Sequence, residues 1–305
     1  MMSIQPNVSN LKPPVIWMPK SIEKVIELKH QFGSNASFVS GATLLQLQWQ
    51  NGHILPHHLL SLENIPTLKE MKMDVEKKHV SIGSMVTLAQ CRFEPLFKKS
   101  LPILFEAVKT IAAPAVRNRA TIGGNIMGGV GDLIPLLITL NAKLVISENR
   151  TIKTIELYEW VQRKEEFNQP LLIEILIPYE EMDGLSSVFY KKIGRRETFT
   201  AAIITVSGKI KWDPNGKIYN ANLAIGGGDN NPALLQKTMG ELIGKSMEDI
   251  DWKKVYASLL SEILPTEDVF VSGKYRKKAA ANIIVAELQN SVGIYGTREE
   301  QVHEI

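Results

Sequence analysis

The sequence predicts a mixed α/β domain followed by an α+β domain, and two observations support this prediction. A chain of 305 residues is long for one hydrophobic core, which favours two domains. Up to about residue 180, strand-like apolar runs alternate with helical patterns, whereas three successive strands and then three helices follow. We therefore expect a first domain over residues 1–182, with subdomains of about 1–60 and 61–182, a second domain over 183–290, and a tail over 291–305.

The first domain opens with a helical pattern in which Ser21 is a favourable N-cap and apolar residues recur on one face. Its predicted helices cover residues 19–31, 95–111 and 133–140, the last of them buried. Its predicted strands lie at 38–39, around 79–83, at 143–146 and at 171–177. This order of elements is typical of an α/β domain.

The second domain shows strand patterns at residues 188–192, 201–211 and 218–225. The DPNG sequence of Asp213–Gly216 is a strong turn signal between two of them. Helical patterns follow at 233–242, 252–263 and 275–288. Three strands followed by three helices predict a compact α+β domain.

Composition excludes several classes of function. The formal net charge of +3 is small for this length, so no nucleic-acid partner is expected. The longest apolar stretch, residues 133–146, is interrupted by Pro135, Asn141 and Lys143 and is too short and polar to span a bilayer. The start of the sequence lacks the pattern of a secretory signal, and the single Cys91 permits neither an internal disulfide nor a cysteine-ligated cluster. We expect a cytoplasmic protein.

Familiar nucleotide and metal motifs are missing. No GxGxxG follows a strand, which argues against a Rossmann NAD site. The GELIGKS of residues 240–246 has one residue too few between its glycines for a phosphate loop. The six histidines are scattered apart from His57 and His58, with no metal-ligand spacing. We expect no metal site on this chain.

Two small-residue turns are candidate binding loops: Ser40-Gly41-Ala42-Thr43-Leu44, after a predicted strand, and Thr121-Ile122-Gly123-Gly124-Asn125. Each is either a plain turn, since glycine readily adopts positive φ, or a nest of backbone N–H groups for an anion. Two such nests could hold one pyrophosphate from either side.

At these residues the chain resembles a known family. The stretches VSGATLL, IGSMVTLAQ, VRNRATIGGN, GDLIPLLITLNA and KKIGRRE occur in the order found in the FAD-binding medium subunit of the molybdenum hydroxylases. That family includes the xanthine and carbon monoxide dehydrogenases, and its FAD domain has the fold of the vanillyl-alcohol oxidase type. The resemblance runs from about residue 19 to 288, and SGKYRKKAAANII resembles a tyrosine-arginine segment of the family's C-terminal domain.

The resemblance implies a set of residues that bind FAD non-covalently. The backbone of Ser40, Gly41, Ala42, Thr43 and Leu44 would bind the pyrophosphate, and Thr121, Gly123, Gly124 and Asn125 would line the other side. Asp132 would hydrogen-bond ribityl or ribose hydroxyls, Leu172 would touch the isoalloxazine ring, and Lys191 would lie near its pyrimidine end. A cation there stabilises an anionic reduced flavin by Coulomb attraction.

Other interpretations of these residues stay open. Asp132 either contacts FAD or caps the helix that starts at Leu133. Lys191 belongs either to the flavin site or to a solvated strand edge, and Arg117 and Arg119 either contact FAD or hold their loop by salt bridges.

The chain departs from the family in its first loop. Ala42 and Leu44 stand where the family usually has a second glycine and an aspartate, and alanine fits there only if its φ is negative. The IMGGVG loop before Asp132 is short.

From the resemblance we expect an oxidoreductase subunit without catalytic side chains of its own. Substrate would be oxidised at a molybdenum cofactor on a large partner, and electrons would pass through 2Fe–2S clusters of a small iron–sulfur partner to FAD on this chain. FAD would then reduce NAD⁺, a quinone or oxygen. The three chains would form a heterotrimer that dimerises. The alternatives are a stand-alone flavin oxidoreductase and a binding module that kept the fold and lost the flavin.

Overall fold

The computed structural model describes residues 13–179, 185–194 and 202–302. Its strands are β1 (Val15–Trp17), β2 (Ala36–Val39), β3 (His58–Ser61), β4 (Met71–Asp74), β5 (His79–Gly83), β6 (Lys143–Glu148), β7 (Thr151–Glu156), β8 (Leu171–Pro178), β9 (Ser186–Gly194), β10 (Ala202–Trp212), β11 (Ile218–Gly227) and β12 (Asn230–Leu234). Its α-helices are α1 (Ile22–Phe32), α2 (Thr43–Gln50), α3 (Leu88–Phe93), α4 (Pro95–Ser100), α5 (Pro102–Lys109), α6 (Pro114–Arg117), α7 (Ile122–Met127), α8 (Ile134–Thr139), α9 (Leu157–Arg163), α10 (Gln236–Gly240), α11 (Trp252–Glu262) and α12 (Gly273–Val302).

A small parallel sheet, in the order β1-β3-β2, forms the N-terminal subdomain. The Ser21 side chain caps α1 by accepting a hydrogen bond from the Lys24 N–H at 3.2 Å. Val25 and Leu28 of α1 are buried against Leu60 of the sheet and neighbouring apolar residues. Because parallel strands end at one edge, the first candidate loop leaves β2 at the edge where open α/β sheets bind ligands.

A five-stranded antiparallel sheet, in the order β4-β5-β8-β6-β7, forms the next subdomain. The largest hydrophobic core lies between this sheet and the helices α3, α5, α7 and α8. All six residues of α8 are buried, as is expected for a helix that is covered on every side.

The C-terminal sheet, in the order β12-β11-β10-β9, packs on α8 with one part of its surface. The Thr139 and Ser207 hydroxyls lie 2.9 Å apart, and Asn222 Nδ2 donates to the Thr139 carbonyl at 3.2 Å. A separate core joins the sheet to α11 and α12. The predicted turn at Asp213–Gly216 is present, with Asp213 Oδ1 accepting from the Asn215 N–H and Gly216 at φ 76°.

The fold differs from the prediction at several places. The C-terminal sheet has a fourth strand, β12, where a helix from residue 233 was expected, because β12 pairs with the edge of β11. The helix expected over 95–111 is broken between α4 and α5, since Pro102 cannot occupy a helix interior and instead begins α5. The strand β7 and the helix α9 were not predicted; β7 is mostly exposed and carries little apolar signal.

The C-terminal helix α12 extends to Val302, into the stretch that was predicted to be a tail. Within the part of the chain that the structure describes, no helix combines the length and the hydrophobicity that crossing a bilayer requires.

Candidate functional site

A cleft of about 880 Å³ lies between the N-terminal subdomain, the start of α7 and the strand β8. This volume is at the upper end of the range of roughly 300–1,000 Å³ that is usual for small-molecule sites. Its lining includes eleven of the twelve predicted site residues, namely Ser40, Gly41, Ala42, Thr43, Leu44, Thr121, Gly123, Gly124, Asn125, Asp132 and Leu172. Lys191 is absent from the described lining.

The first loop presents free backbone donors to the cleft. The N–H groups of residues 41–45 have no hydrogen-bond acceptor among the described residues, since the first intrahelical donors of α2 come later in the chain. Ala42 has φ 59° and ψ 5°, and the helix α2 begins at Thr43. A left-handed residue followed by a helix N-terminus turns successive N–H groups toward one point, which is the geometry of an anion nest.

The conformation of Ala42 corrects one expectation. We expected the loop to form only if this alanine had a negative φ, but its φ is positive. A left-handed conformation costs an alanine about 1–2 kcal/mol.

The second loop has a different role from the one predicted. Its N–H groups are occupied: Gly123 donates to the Ser84 carbonyl at 3.0 Å and Gly124 to Thr121 Oγ1 at 2.9 Å. The Asn125 N–H donates to the Thr121 carbonyl at 3.0 Å. This loop is therefore not a second nest. Gly123 is required by a close approach, because a Cβ there would lie 2.5 Å from the Ser84 carbonyl oxygen.

The segment before the second loop holds the first loop in place. A Cβ on Gly41 would lie 1.8 Å from the Arg119 carbonyl oxygen, so only glycine permits this approach. Arg119 Nε donates to the Gly41 carbonyl at 3.5 Å. The buried Arg117 donates to the Ile111 carbonyl at 2.7 Å and to the Ala112 carbonyl. Its pKa is lowered, mainly by burial and to a smaller extent by the positive charge of Arg92. Both arginines thus bind carbonyls here, where salt bridges were the expected alternative.

Asp132 is held from the C-terminal sheet. Lys192 Nζ lies 2.8 Å from Asp132 Oδ2, and the two side chains are only 6% and 13% exposed. Tyr190 donates to the Asp132 carbonyl at 3.2 Å, and burial, together with the charge of Asp132, raises the pKa of this tyrosine. Asp132 does not cap α8, because the Leu133 N–H donates to Asn125 Oδ1 at 3.2 Å.

The predicted role of Lys191 therefore needs correction. Successive side chains of a strand point to opposite faces, and in β9 it is Lys192 that faces Asp132. Lys191 is half-exposed and pairs with Glu287 of α12 at 3.1 Å. The sequence showed that neighbouring side chains of β9 point to opposite faces, but not which face is buried. The contact of Tyr190 with Asp132 shows that the face of Tyr190 and Lys192 is the buried one.

The sequence interpretation missed several lining residues. Lys164 lines the cleft and is close to the glycine-rich loop, since its Nζ lies 2.8 Å from the point that a Cβ on Gly129 would occupy. Ala112 and Gln169, which both have positive φ, also line the cleft, and Gly228 lines it from the C-terminal domain. No motif in the sequence marks these positions. In the described ranges, no three His, Cys, Asp or Glu side chains form a group that could hold a metal ion.

Two family models match the chain. Residues 9–180 match the FAD binding domain in molybdopterin dehydrogenase, and residues 188–290 match the CO dehydrogenase flavoprotein C-terminal domain. The chain belongs to the molybdopterin dehydrogenase FAD-binding family. The resemblance inferred from the sequence motifs is confirmed.

Relatives of this family member are oxidoreductase subunits. The glyceraldehyde dehydrogenase medium chain of Sulfolobus acidocaldarius is 25% identical over 228 residues, which are 73% of this chain and 79% of that protein. A putative xanthine dehydrogenase FAD-binding subunit of Escherichia coli is 22% identical over 246 residues, 79% of this chain and 83% of that protein. A chain of the carbon monoxide dehydrogenase from Hydrogenophaga pseudoflava superposes with a TM-score of 0.83 at 22% identity, over 93% of this chain and 99% of that chain. This likeness confirms the predicted fold class.

The cleft of this family member fits FAD. A dinucleotide has a pyrophosphate that needs several donors at one point, and residues 41–45 supply them without a competing acceptor among the described residues. Leu172, 3% exposed, provides an apolar wall at which a ring can lie.

Proposed function

We propose that the chain is the FAD-binding electron-transfer subunit of a molybdenum-containing hydroxylase or dehydrogenase. The observation that carries this proposal is the set of unpaired N–H groups of residues 41–45 in a large cleft. When bound, FAD supplies the electron-transfer chemistry, and the protein supplies binding, orientation and electrostatics.

Each part of the cleft has a proposed role toward FAD. The first loop binds the pyrophosphate, and Thr121, Gly123, Gly124 and Asn125 form the opposite wall. Asp132 accepts hydrogen bonds from hydroxyl groups with the lone pairs that Lys192 leaves free. Leu172 contacts the flavin ring. Lys192, rather than Lys191, positions Asp132 for this role, because it is the lysine that the strand directs toward Asp132.

The titratable side chains that line the cleft favour an electron-transfer subunit over a stand-alone oxidoreductase. In the described lining the titratable side chains are Asp132, Lys164 and Glu165, and Asp132 is already paired with Lys192. A substrate-oxidising flavin enzyme needs acid or base groups positioned over the flavin. The described cleft presents no such pair, so we place substrate chemistry on a partner. The flavin-less module is less favoured, because the nest is formed although Ala42 and Leu44 replace the usual residues.

Partner subunits are supported by an exposed apolar surface. The helix α2 has no buried residue, and Leu44, Leu47, Trp49 and the nearby Ile54 are 47%, 52%, 62% and 77% exposed. No Asp, Glu, Lys or Arg occurs from residue 30 to residue 62. Uncharged, aromatic-containing patches are typical of permanent interfaces. We propose a large molybdenum subunit and a small iron–sulfur subunit as partners, NAD⁺, a quinone or oxygen as acceptor, and a cytoplasmic location.

A proline substitution tests the nest directly. Leu44→Pro removes one N–H donor at a position in the first helical turn, where proline is tolerated. Leu44→Ala is the matched control, since it removes the same side chain and keeps the N–H. Hydrogen bonds to charged groups contribute about 1.5–3 kcal/mol, so Leu44→Pro should weaken FAD binding by roughly 10- to 100-fold relative to Leu44→Ala. Equal affinities in a fluorescence titration with FAD would contradict the proposed function of the loop.

A further inference from the structure

Lys164 places a positive charge in the cleft that has no role so far. Among the titratable side chains of the described lining, Asp132 is paired with Lys192, and Glu165 is an exposed carboxylate. Lys164 forms no ion pair and no side-chain hydrogen bond with any residue in the described ranges. A lysine that lines a cleft without a protein partner is available to an anion that enters the cleft.

The helix α9 directs Lys164 into the cleft. Trp160, four residues earlier and only 3% exposed, also lines the cleft, and Lys164 keeps a helical φ of −56° and ψ of −29° at the helix end. Residues four apart lie on one face of a helix, so both side chains point to the same side. The adjacent Arg163 is absent from the described lining and pairs with Glu159 and Glu166, both at 2.8 Å. Of these two neighbouring cations, Lys164 is therefore the one that a ligand can use.

The side chain of Lys164 lies along the glycine-rich loop that adjoins the nest. Its Nζ, Cδ and Cε atoms are 2.8, 3.5 and 3.7 Å from the point that a Cβ on Gly129 would occupy. The preceding Gly128 adjoins the first loop, because a Cβ there would lie 3.3 Å from Leu44 Cδ2. The lysine and the nest thus contact consecutive residues of one loop.

The diphosphate of a dinucleotide needs positive charge as well as hydrogen-bond donors. The nest of residues 41–45 supplies neutral N–H groups, and the second loop adds none, since its N–H groups are occupied. Each phosphate carries a negative charge, and Coulomb attraction to a cation is stronger in a cleft than in bulk water. A lysine ammonium suits this role, because it carries three donors on a flexible stem.

We propose that Lys164 binds the diphosphate of FAD together with the nest of residues 41–45. The lysine then takes the place of the second nest that the sequence predicted. It also favours a dinucleotide over a flavin without phosphate, because its charge acts on the diphosphate and not on the ring. The inference rests on the proposed function and adds to it a residue that no sequence motif marks.

The variant Lys164→Met tests the inference, because methionine keeps most of the side-chain length and removes the charge. Lys164→Arg keeps the charge, and Arg163→Met makes the same charge change at the adjacent residue outside the described lining. Fluorescence titrations measure the affinity for FAD at several salt concentrations, and calorimetry measures ADP, a diphosphate without a flavin, on the flavin-free chain. The midpoint potential of the bound flavin reports on charge beside the ring, and circular dichroism checks the fold of each variant.

Lys164→Met should weaken the binding of FAD and of ADP by about tenfold each, and it should flatten the salt dependence of FAD binding. Lys164→Arg and Arg163→Met should both stay within about threefold of the wild-type affinity. The midpoint potential should be the same in all four proteins, because the charge that changes is not at the flavin ring.

Two kinds of result overturn the inference and leave the proposed function intact. One is a wild-type affinity for FAD in Lys164→Met. The other is a lowered potential with an unchanged affinity for ADP, or a wild-type chain that binds FAD but not ADP, since either would separate the lysine from the diphosphate. A wild-type chain that binds neither FAD nor ADP, alone or in its purified complex, overturns the proposed function itself.

Discussion

Single residues decide the geometry of the first loop. Gly41 permits the contact with the Arg119 carbonyl, and Ala42 adopts the left-handed conformation that orients the N–H groups toward the cleft. Backbone strain of this kind persists where surrounding contacts determine the conformation, and it is often found at binding sites. The nest thus depends on one glycine and on one strained alanine.

Relieving the strain at Ala42 should stabilise the chain. Ala42→Gly removes a strain penalty of about 1–2 kcal/mol from the folded state. Glycine also raises the conformational entropy of the unfolded chain, which offsets part of this, so the net gain in the free energy of unfolding should be about 1 kcal/mol. Ala279→Gly in α12 is the control and should lower stability by about 1 kcal/mol, because it lies in an ordinary helix. Urea unfolding measures both. A loss of stability at both positions would contradict the assigned conformation of Ala42.

The two adjacent lysines of β9 should behave differently. Lys192→Met leaves Asp132 buried without its ion-pair partner, and breaking a buried pair costs about 3–5 kcal/mol. Lys191→Met breaks a half-exposed pair with Glu287 and should cost about 0–1 kcal/mol. Chemical unfolding and FAD retention compare the two variants. Equal effects on both would show that Asp132 does not depend on Lys192.

The residues of the site were largely predictable, whereas their contacts were not. Eleven of the residues predicted from the order of motifs line one cleft. The sequence did not show that Lys192, rather than Lys191, pairs with Asp132, because a one-residue choice in a strand depends on which face the sheet buries. Lys164, Ala112 and Gly228 come from three distant segments, and only tertiary structure places them at the cleft.

At the scale of secondary-structure elements, α2 has no buried residue, and none of its side chains is charged. Its N-terminus faces the cleft, and its outer side presents Leu47 and Trp49 to solvent in the isolated chain. One short helix therefore serves both the proposed cofactor site and the proposed subunit contact.

Polar substitutions on α2 should weaken assembly of the complex. Leu47→Gln with Trp49→Gln removes an aromatic anchor of the kind that contributes 2 kcal/mol or more, roughly a 30-fold change in affinity. Ile152→Gln with Tyr219→Gln is the control, because these residues are similarly exposed, at 60% and 55%, but lie away from α2, on β7 and β11. Size-exclusion chromatography of co-expressed subunits measures the assembled fraction. Full assembly of the α2 variant would contradict the proposed interface.

Element type followed from local pattern wherever the pattern was strong. The cap at Ser21 and the turn at Asp213–Gly216 were predicted from residue chemistry and are present. The strand β12 was missed because its residues gain their conformation from pairing with β11. The TIGGN loop suggested a nest, but its N–H groups turn inward to Ser84 and Thr121, a choice made by packing against the preceding strand.

At the scale of the whole molecule, Cys91 reports on opening of the main core. The side chain is buried, and burial raises its pKa to about 12. The folded pKa lies above the usual value of 9.0, so burial of the neutral thiol favours the folded state fully below pH 9 and this contribution is lost as the pH rises toward 12.

Thiol labelling should therefore be slow at pH 8 and slower with FAD. Cys91 lies in α3 with Leu88, which lines the cleft. A ligand at 100 times its dissociation constant stabilises the folded state by about 2.7 kcal/mol, which should slow labelling through unfolding by roughly 100-fold. Labelling with a chromogenic disulfide in the presence and absence of FAD measures this. Fast labelling in both conditions would contradict the burial of Cys91.

The absorbance spectrum of the chain, purified, incubated with FAD and desalted, tests the central claim most directly. We predict that oxidised-flavin bands remain with the protein at one FAD per chain, that they remain with Leu44→Ala, and that they are lost or reduced with Leu44→Pro. A wild-type chain that retains no flavin, either alone or in its purified complex, would contradict the account of the cleft as an FAD site.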